Sequence, residues 1–313
     1  MRRPLRRFST EEKDNNRIRL RAEKFQETKM ANNSQRSKPS NSDAKLIEKV
    51  WKRLCVSAKR MIFSDPFLKK LGEEVVLESP KMAVALARVL SRQHFDVFVA
   101  RKELTNLFLT VYAKAPQLVV AAAYDLIAVT ERDPAATDIL YPFMHFKGFH
   151  ALQTHRVAHW LWEHGQKDTA VFLQNRGSVL YGVDLHPGAK IGKGIMLDHA
   201  HGIVIGETAV VEDNVSMLHD ATLGGTGKER GDRHPKIREG VMIGAGAKIL
   251  GNVEIGTGAS IAAGSVVLEN VPAHMTVAGV PAKIIGKAKS ETPAAEMDQT
   301  IPAYWPFCLP GGT

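Results

Sequence analysis

From Ile237 onward an aliphatic residue returns at every sixth position: Ile237, Ile243, Ile249, Ile255, Ile261 and Val267. A small or β-branched residue follows four places after each of the first five (Val241, Ala247, Val253, Ala259, Ser265). Glycine recurs at Gly240, Gly246, Gly258 and Gly264, with Asn252 filling the one gap. A period of six matches neither an α-helix, at 3.6, nor a half-buried strand, at 2. It matches a parallel β-helix, in which each six-residue rung supplies one face of a prism and stacked coils share a continuous core. Glycine, or Asn in its place, marks the corners, where a side chain obstructs the backbone.

The same register extends upstream in two shorter runs, Leu185–Ile191–Leu197 and Ile205–Val211–Met217–Leu223. It is broken twice. From Leu197 to Ile205 the step is eight residues, and from Leu223 to Ile237 it is fourteen. Insertions in a solenoid become loops on one face, commonly the working face. The two interruptions, 198–202 and 224–236, hold the densest polar chemistry of the chain: Asp198, His199 and His201 in the first, Asp232, Arg233 and His234 in the second.

Before the solenoid the apolar spacing turns helical. Asp43 is an N-cap candidate for a first helix, and further helices are expected near 80–92, 101–113, 116–129, 148–164 and 169–174, punctuated by prolines. The expected class is therefore α + β. Its parts are a basic tail or targeting segment (1–42), a helical domain (43–180), a β-helix (181–289) and a flexible C-terminal tail (290–313).

Composition changes this picture little. No apolar stretch approaches the roughly 18–20 residues of a membrane span, so no membrane association is expected. The net charge of +9 is concentrated at the N-terminus, where residues 1–44 hold twelve basic and six acidic side chains. A basic balance confined to a polar tail argues against nucleic acid as a partner. The two cysteines, Cys55 and Cys308, form neither a disulfide framework nor a metal knuckle and suit a reducing compartment. The acid-free, Arg-rich first ten residues resemble a transit peptide, but Glu11, Glu12 and Asp14 follow at once. Cytoplasm is the expectation, with a mitochondrion or plastid as the alternative.

The motifs Asp184-Leu185-His186-Pro187, Gly194-Ile195-Met196-Leu197-Asp198-His199-Ala200, Leu223-Gly224-Gly225-Thr226-Gly227 and Gly231-Asp232-Arg233-His234-Pro235-Lys236-Ile237 resemble those of the serine O-acetyltransferases. So do Lys147-Gly148-Phe149-His150-Ala151-Leu152-Gln153 and His159-Trp160-Leu161-Trp162. The likeness runs from about residue 45 to Gln299. It implies a left-handed parallel β-helix, an exception to the right-handed crossover rule. It also implies homotrimers, paired into hexamers through the helical domain, with acetyl-CoA held between neighbouring subunits.

The implied chemistry is acetyl transfer from a thioester to the hydroxyl of L-serine, the first step from serine towards cysteine. A histidine is the natural general base at neutral pH, and the resemblance gives that role to His199, oriented by Asp184. Arg233 would fork onto the substrate carboxylate, with His234 beside it. Asp198 and Asp133 would accept from the ammonium group. Acetyl-CoA would run past Gly225, Thr226, Ala245 and Ala263 to the cap bearing Lys283.

L-cysteine is implied as a feedback inhibitor. Many members bind O-acetylserine sulfhydrylase through a terminal isoleucine; this chain ends Pro310-Gly311-Gly312-Thr313, so that complex is not expected. His201 and His219 lack the closed ligand set of a metal site, so no metal is expected. Acetylation of another hydroxyl, zinc-dependent hydration and a non-enzymatic scaffold remain as competing functions.

Overall fold

The structure is a computed structural model that describes residues 39–227 and 230–300. The basic segment, the two loop residues Lys228 and Glu229, and the chain end with Cys308 lie outside the described residues. Helices come first: α1 (Asn41–Ser64), α2 (Lys69–Gly72), α3 (Met82–His94), α4 (Arg101–Lys114), α5 (Gln117–Arg132), α6 (Leu140–His145), α7 (Lys147–Glu163) and α8 (Lys167–Tyr181). They bury one core that includes Leu54, Leu86, Leu90, Phe108, Leu126, Phe143 and Leu161. Local chemistry sets several ends. The Glu103 carboxylate accepts from the Ala100 N–H and closes the start of α4. Helix α8 runs well past the expected 169–174 and stops at Gly182, whose φ of 67° is the left-handed turn a glycine supplies. Among the described residues no single helix is long and apolar enough to cross a membrane; only the bent pair α4 and α5 reaches that composition together.

The strands follow in three parallel sheets, each receiving one strand per coil. Sheet A stacks β1 (Asp184–Leu185), β4 (Val204–Ile205), β7 (Thr222–Gly224), β10 (Lys248–Leu250) and β13 (Val266–Val267). Sheet B stacks β2 (Lys190–Ile191), β5 (Val210–Val211), β8 (Lys236–Ile237) and β11 (Glu254–Ile255). Sheet C stacks β3 (Met196–Leu197), β6 (Ser216–Met217), β9 (Met242–Ile243), β12 (Ser260–Ile261), β14 (Met275–Gly279) and β15 (Ala282–Lys287). This is the parallel β-helix expected from the hexads, with the left hand that the family resemblance implies.

The aliphatic residue of each rung points inward and stacks on its counterpart one coil away: Leu197 on Met217, Met217 on Ile243, Ile243 on Ile261. Eighteen residues make a plain coil, as from Ile243 to Ile261. The first interruption lengthens its coil to twenty (Leu197 to Met217) and the second to twenty-six (Met217 to Ile243).

One corner departs from expectation. Asn252 was the anticipated substitute for glycine, yet the left-handed residue of that rung is Gly251, at φ 92°. Strand β10 ends one residue late, with the Gly251 N–H bonded to the Gly224 carbonyl below, so the turn falls on the glycine the sequence already supplies.

Both ends of the prism are covered. At the start, Ala151, Leu152 and Tyr181 from α7 and α8 join the β-helix core. At the finish, β15 turns back antiparallel on β14 and presents exposed Lys283 and Lys287 at the sheet edge, a feature that deters further strand pairing.

A buried ion pair joins the helices to the first coil. Arg156 on α7 donates from Nη2 and Nε to Asp125 Oδ2 on α5, at 2.7 and 3.0 Å. The same guanidinium donates to the Ile191 and Gly192 carbonyls at 3.1 and 2.6 Å, while Asp125 Oδ1 accepts from the Ile195 N–H at 3.0 Å. Asp125→Ala strands the Arg156 charge in the interior and should cost about 3–5 kcal/mol in chemical unfolding. A loss below about 1 kcal/mol would contradict this role.

Two further buried groups make stability depend on pH. Burial pushes the imidazoles of His94 and His150 down to about 4, whereas the unfolded chain titrates near 6.5. Their contribution is complete above about pH 6.5 and is lost as pH falls towards 4, because the unfolded state then binds the extra protons. Between pH 7 and 5 the folded protein should lose roughly 4 kcal/mol from this pair, read as a falling unfolding midpoint. A midpoint flat across that range would contradict it.

Candidate functional site

Register decides which predicted residues can meet. The loops from sheet C to sheet A lie on one edge of the prism, and the loops from sheet A to sheet B lie on the next. His199 belongs to the first edge, in the lengthened loop between β3 and β4. Two residues beyond each stacked aliphatic position of sheet C come His199, His219, Ala245 and Ala263, which therefore form one column along the C–A edge. Backbone bonds confirm the stacking: the Gly246 N–H donates to the His219 carbonyl at 2.9 Å and the Gly264 N–H to the Ala245 carbonyl at 2.8 Å.

His199 is exposed and sits on a strained backbone. It and Ala200 have φ of 53° and 56°, two consecutive non-glycine residues in the left-handed region. Several contacts hold the strain. The Gly202 N–H reaches the Gly182 carbonyl of the coil below at 2.7 Å, and the Ile203 N–H returns to the Ala200 carbonyl at 3.1 Å. Gly148, in the first turn of α7, lies so close that an added Cβ would come 2.0 Å from the Leu197 carbonyl oxygen. The imidazole meets His219 edge to face, with ring centroids 5.7 Å apart. Asp198 is half-buried beside it, its N–H bonded to the Met217 carbonyl at 2.8 Å.

Asp184 begins β1, directly under Val204 in sheet A, so it lies one coil from the His199 loop. Its carboxylate accepts from Gln174 Nε2 of α8 at 2.7 Å; among the described residues no hydrogen bond joins it to His199. Asp133 follows α5, where its carboxylate accepts from the Ala135 N–H at 2.8 Å. Its neighbour Arg132 donates to Ser216 Oγ on β6 at 3.0 Å, and Val129 and Ala136 pack on Met196 of β3. The end of α5 is thereby fixed against sheet C, beside the edge that carries His199.

Arg233 and His234 lie on the A–B edge, in the long loop after β7, with sheet A between them and His199. Thr208 organises them. Its Oγ1 accepts from the Arg233 and His234 N–H groups at 3.0 and 3.1 Å and donates to His234 Nδ1 at 2.9 Å. The Thr208 N–H also donates to that Nδ1, at 3.2 Å, which leaves the ring proton of a neutral His234 on Nε2. His234 is buried, and its pKa is pushed down first by desolvation and then by the Arg233 charge. Arg233 Nη2 pairs with Glu207 at 2.8 Å, and this hydrogen bond holds the Glu207 carboxyl below its usual range. Lys236 ties the loop down through Asp232 at 2.6 Å and the Thr208 and His234 carbonyls.

Of the residues predicted to line a cofactor groove, Gly225 packs against Arg233 and Thr226 lies exposed beside Gly251, both on the A–B edge. Ala245 and Ala263 are on the C–A edge, and Lys283 is on the terminal hairpin. Within one chain the predicted residues thus form two separate groups. Thr208 and Glu207 were missed by sequence reasoning; the signal was their place in the turn one coil below the large insertion. Among the described residues no group of three or more His, Cys, Asp or Glu side chains is arranged to hold a metal.

Comparison with known proteins agrees with this architecture. A family model described as serine acetyltransferase, N-terminal, matches residues 50–154, and one described as bacterial transferase hexapeptide (six repeats) matches residues 234–269. The chain is 51% identical to a serine acetyltransferase of Salmonella typhimurium over 253 residues, covering 81% of this chain and 93% of that protein. A solved serine acetyltransferase in complex with cysteine superposes with a TM-score of 0.80 at 46% identity, covering 81% of this chain and 98% of that one. Another, from Brucella abortus strain S19 in complex with coenzyme A, does so with 0.75 at 48% identity, covering 76% and 96%.

Proposed function

The chain belongs to the serine acetyltransferase family, and from that premise we propose that its two prism edges form one active site across a subunit boundary. The enzyme transfers the acetyl group of acetyl-CoA to the hydroxyl of L-serine, giving O-acetyl-L-serine and CoA, the first step of cysteine biosynthesis from serine. The observation that carries the two-subunit site is the separation of His199 from Arg233 by the whole of sheet A. A substrate as small as serine cannot touch both edges of one prism. In a cyclic homotrimer the C–A edge of one subunit can face the A–B edge of the next.

In that site His199 takes the serine hydroxyl proton as the oxygen attacks the thioester carbon, and later returns it to the departing thiolate. Asp184, one coil below, is the group we assign to the far ring nitrogen, where it fixes the tautomer and stabilises the imidazolium. Serine is oriented at both ends. Arg233, already positioned by Thr208 and Glu207, meets the carboxylate with His234 beside it. Asp198 and Asp133, from the loop and from the end of α5, accept from the ammonium group. The column of small residues from Ala245 to Ala263 leaves an open lane from His199 towards the terminal hairpin. That lane suits the pantetheine arm, and Gly225, Thr226 and Lys283 remain as its further contacts.

L-cysteine differs from serine by one atom and fits the same clamp, which supports end-product inhibition at this site. The helical part leaves Phe63, Phe67, Val97 and Phe98 about nine-tenths exposed, which supports pairing of two trimers through the helices. We place the enzyme in the cytoplasm.

His199→Ala should lower acetyl-CoA-dependent thiol release by about 10²–10⁴-fold with L-serine. Undiminished turnover would remove His199 as the base. Arg233→Ala should lower kcat/KM for serine by roughly 10–100-fold, with KM for acetyl-CoA little changed.

Each variant alone should keep only its residual activity, and co-expressed mixed oligomers provide a sharper test. With random assembly, about a quarter of the boundaries join an intact base to an intact clamp, so about a quarter of wild-type activity should return. No recovery in oligomers shown to be mixed would place both groups in one subunit.

A further inference from the structure

The main chain around Asp184 is pinned from two sides. The Gly182 N–H donates to the Ser178 carbonyl at the end of α8 at 2.9 Å, and the Gly182 carbonyl accepts from the Gly202 N–H at 2.7 Å. The Asp184 N–H donates to the Ile203 carbonyl at 2.9 Å. Gly202 and Ile203 close the loop that bears His199, so these bonds set the height of Asp184 against that loop. They leave its carboxylate free to rotate. Its partner one coil along in sheet A is Val204, whose side chain offers no donor.

Gln174 removes that freedom. It lies about two turns before the end of α8. Its side of the helix is the one that bears buried Ala170, Gly177 and Tyr181, a stripe that normally takes apolar residues. Half-buried, it lines a narrow gap between α7, α8 and the first coil, together with Ala151, Ala158, Leu173, Val183 and Leu185. Apolar walls restrict its rotamers and strengthen a hydrogen bond made beside them. From there Nε2 donates to Asp184 Oδ1 at 2.7 Å, a short bond of the kind a charged acceptor makes. Among the described residues Oδ2 accepts from no donor. A neutral amide suits this place better than Lys or Arg. It fixes the carboxylate without cancelling the charge that an imidazolium needs beside it.

We propose that Gln174 is a positioning residue for the reaction: its amide holds one oxygen of Asp184 so that the other is turned towards the His199 imidazole. This rests on the reading of Asp184 as the group that orients the base. Gln174 acts only through Asp184, so its loss slows the chemical step and spares substrate binding.

The test is a double-mutant cycle on thiol release in the assembled enzyme. Gln174→Met keeps the length of the side chain but has no donor. It should lower kcat about 10–100-fold, with KM for serine and for acetyl-CoA within about threefold of wild type. In an Asp184→Ala background, where no carboxylate is left to hold, the same substitution should change kcat by less than about twofold. Equal losses in both backgrounds would reduce Gln174 to packing and overturn the proposal. So would a Gln174→Met enzyme within about twofold of wild type while Asp184→Ala is impaired. An Asp184→Ala enzyme as active as wild type removes the premise instead, and Gln174 falls with it.

Should the Met variant fail to assemble, Gln174→Glu reads the same contact through pH. Two carboxyl groups at hydrogen-bond distance share one proton, because both cannot ionise cheaply. While that proton is held, the Glu O–H donates to Asp184 as the amide does; once it is lost, the two repel. The kcat of this variant, relative to wild type, should therefore fall as pH rises. A Glu variant that matches wild type at every pH would overturn the positioning role.

Discussion

Everything in the molecule answers to the coil-to-coil hydrogen bonds of the β-helix. Each rung donates N–H groups to the rung beside it, as from Met196 to Val215 and from Met242 to Ala259, so residues of equal phase must pile up. The pile decides what is inside: Leu223, Ile237, Ile243, Ile249 and Ile255 are fully buried, each worth about 1.5–3 kcal/mol of apolar transfer. It also decides what can vary. Extra residues cannot enter the stack without shifting every rung after them onto the wrong face. They must leave the prism at a corner, and that is where both polar loops lie.

A solenoid of this kind fixes position along its axis but gives no depth to a site. The helices supply it. The Asp125–Arg156 pair reaches the carbonyls of Ile191 and Gly192 and the N–H of Ile195, all in the coil that ends at His199. A buried ion pair is a weak source of net stability. What this one provides is placement, since its partners are main-chain groups whose positions are already set by the stack. Through it, and through Gly148 against Leu197, the end of α5 and the start of α7 stand at a defined height beside the C–A edge.

The hexads made the fold legible because a period of six has no other common solution, and the two broken steps marked the loops that carry His199 and Arg233. The edge on which each site residue falls was also present in the sequence, as the phase of His199 and Arg233 within their rungs. It becomes visible only when coils of twenty and twenty-six residues are closed, since the insertions hide the phase. Side-chain bonding was not legible at all. Thr208 collects both N–H groups of Arg233 and His234 only because the long loop folds back over the coil below it. Asn252 misled for a local reason: a three-residue strand moved the corner to Gly251.

The strained backbone at His199 and Ala200 follows from the same constraint. A two-residue insertion is too short to form an independent loop, yet it must rejoin the stack at Ile203 in register with Val183, as the bond from Asp184 to the Ile203 carbonyl requires. The surplus length is absorbed by left-handed turns at successive residues, which lift the His199 ring off the prism surface while its neighbours stay bonded. Glycines there would relieve the strain but would remove the imidazole. The cost, of order 1–3 kcal/mol per residue, is borne by the bonds to Gly182 and the close approach of Gly148. An exposed imidazole is held in this way on a loop that has no internal core of its own.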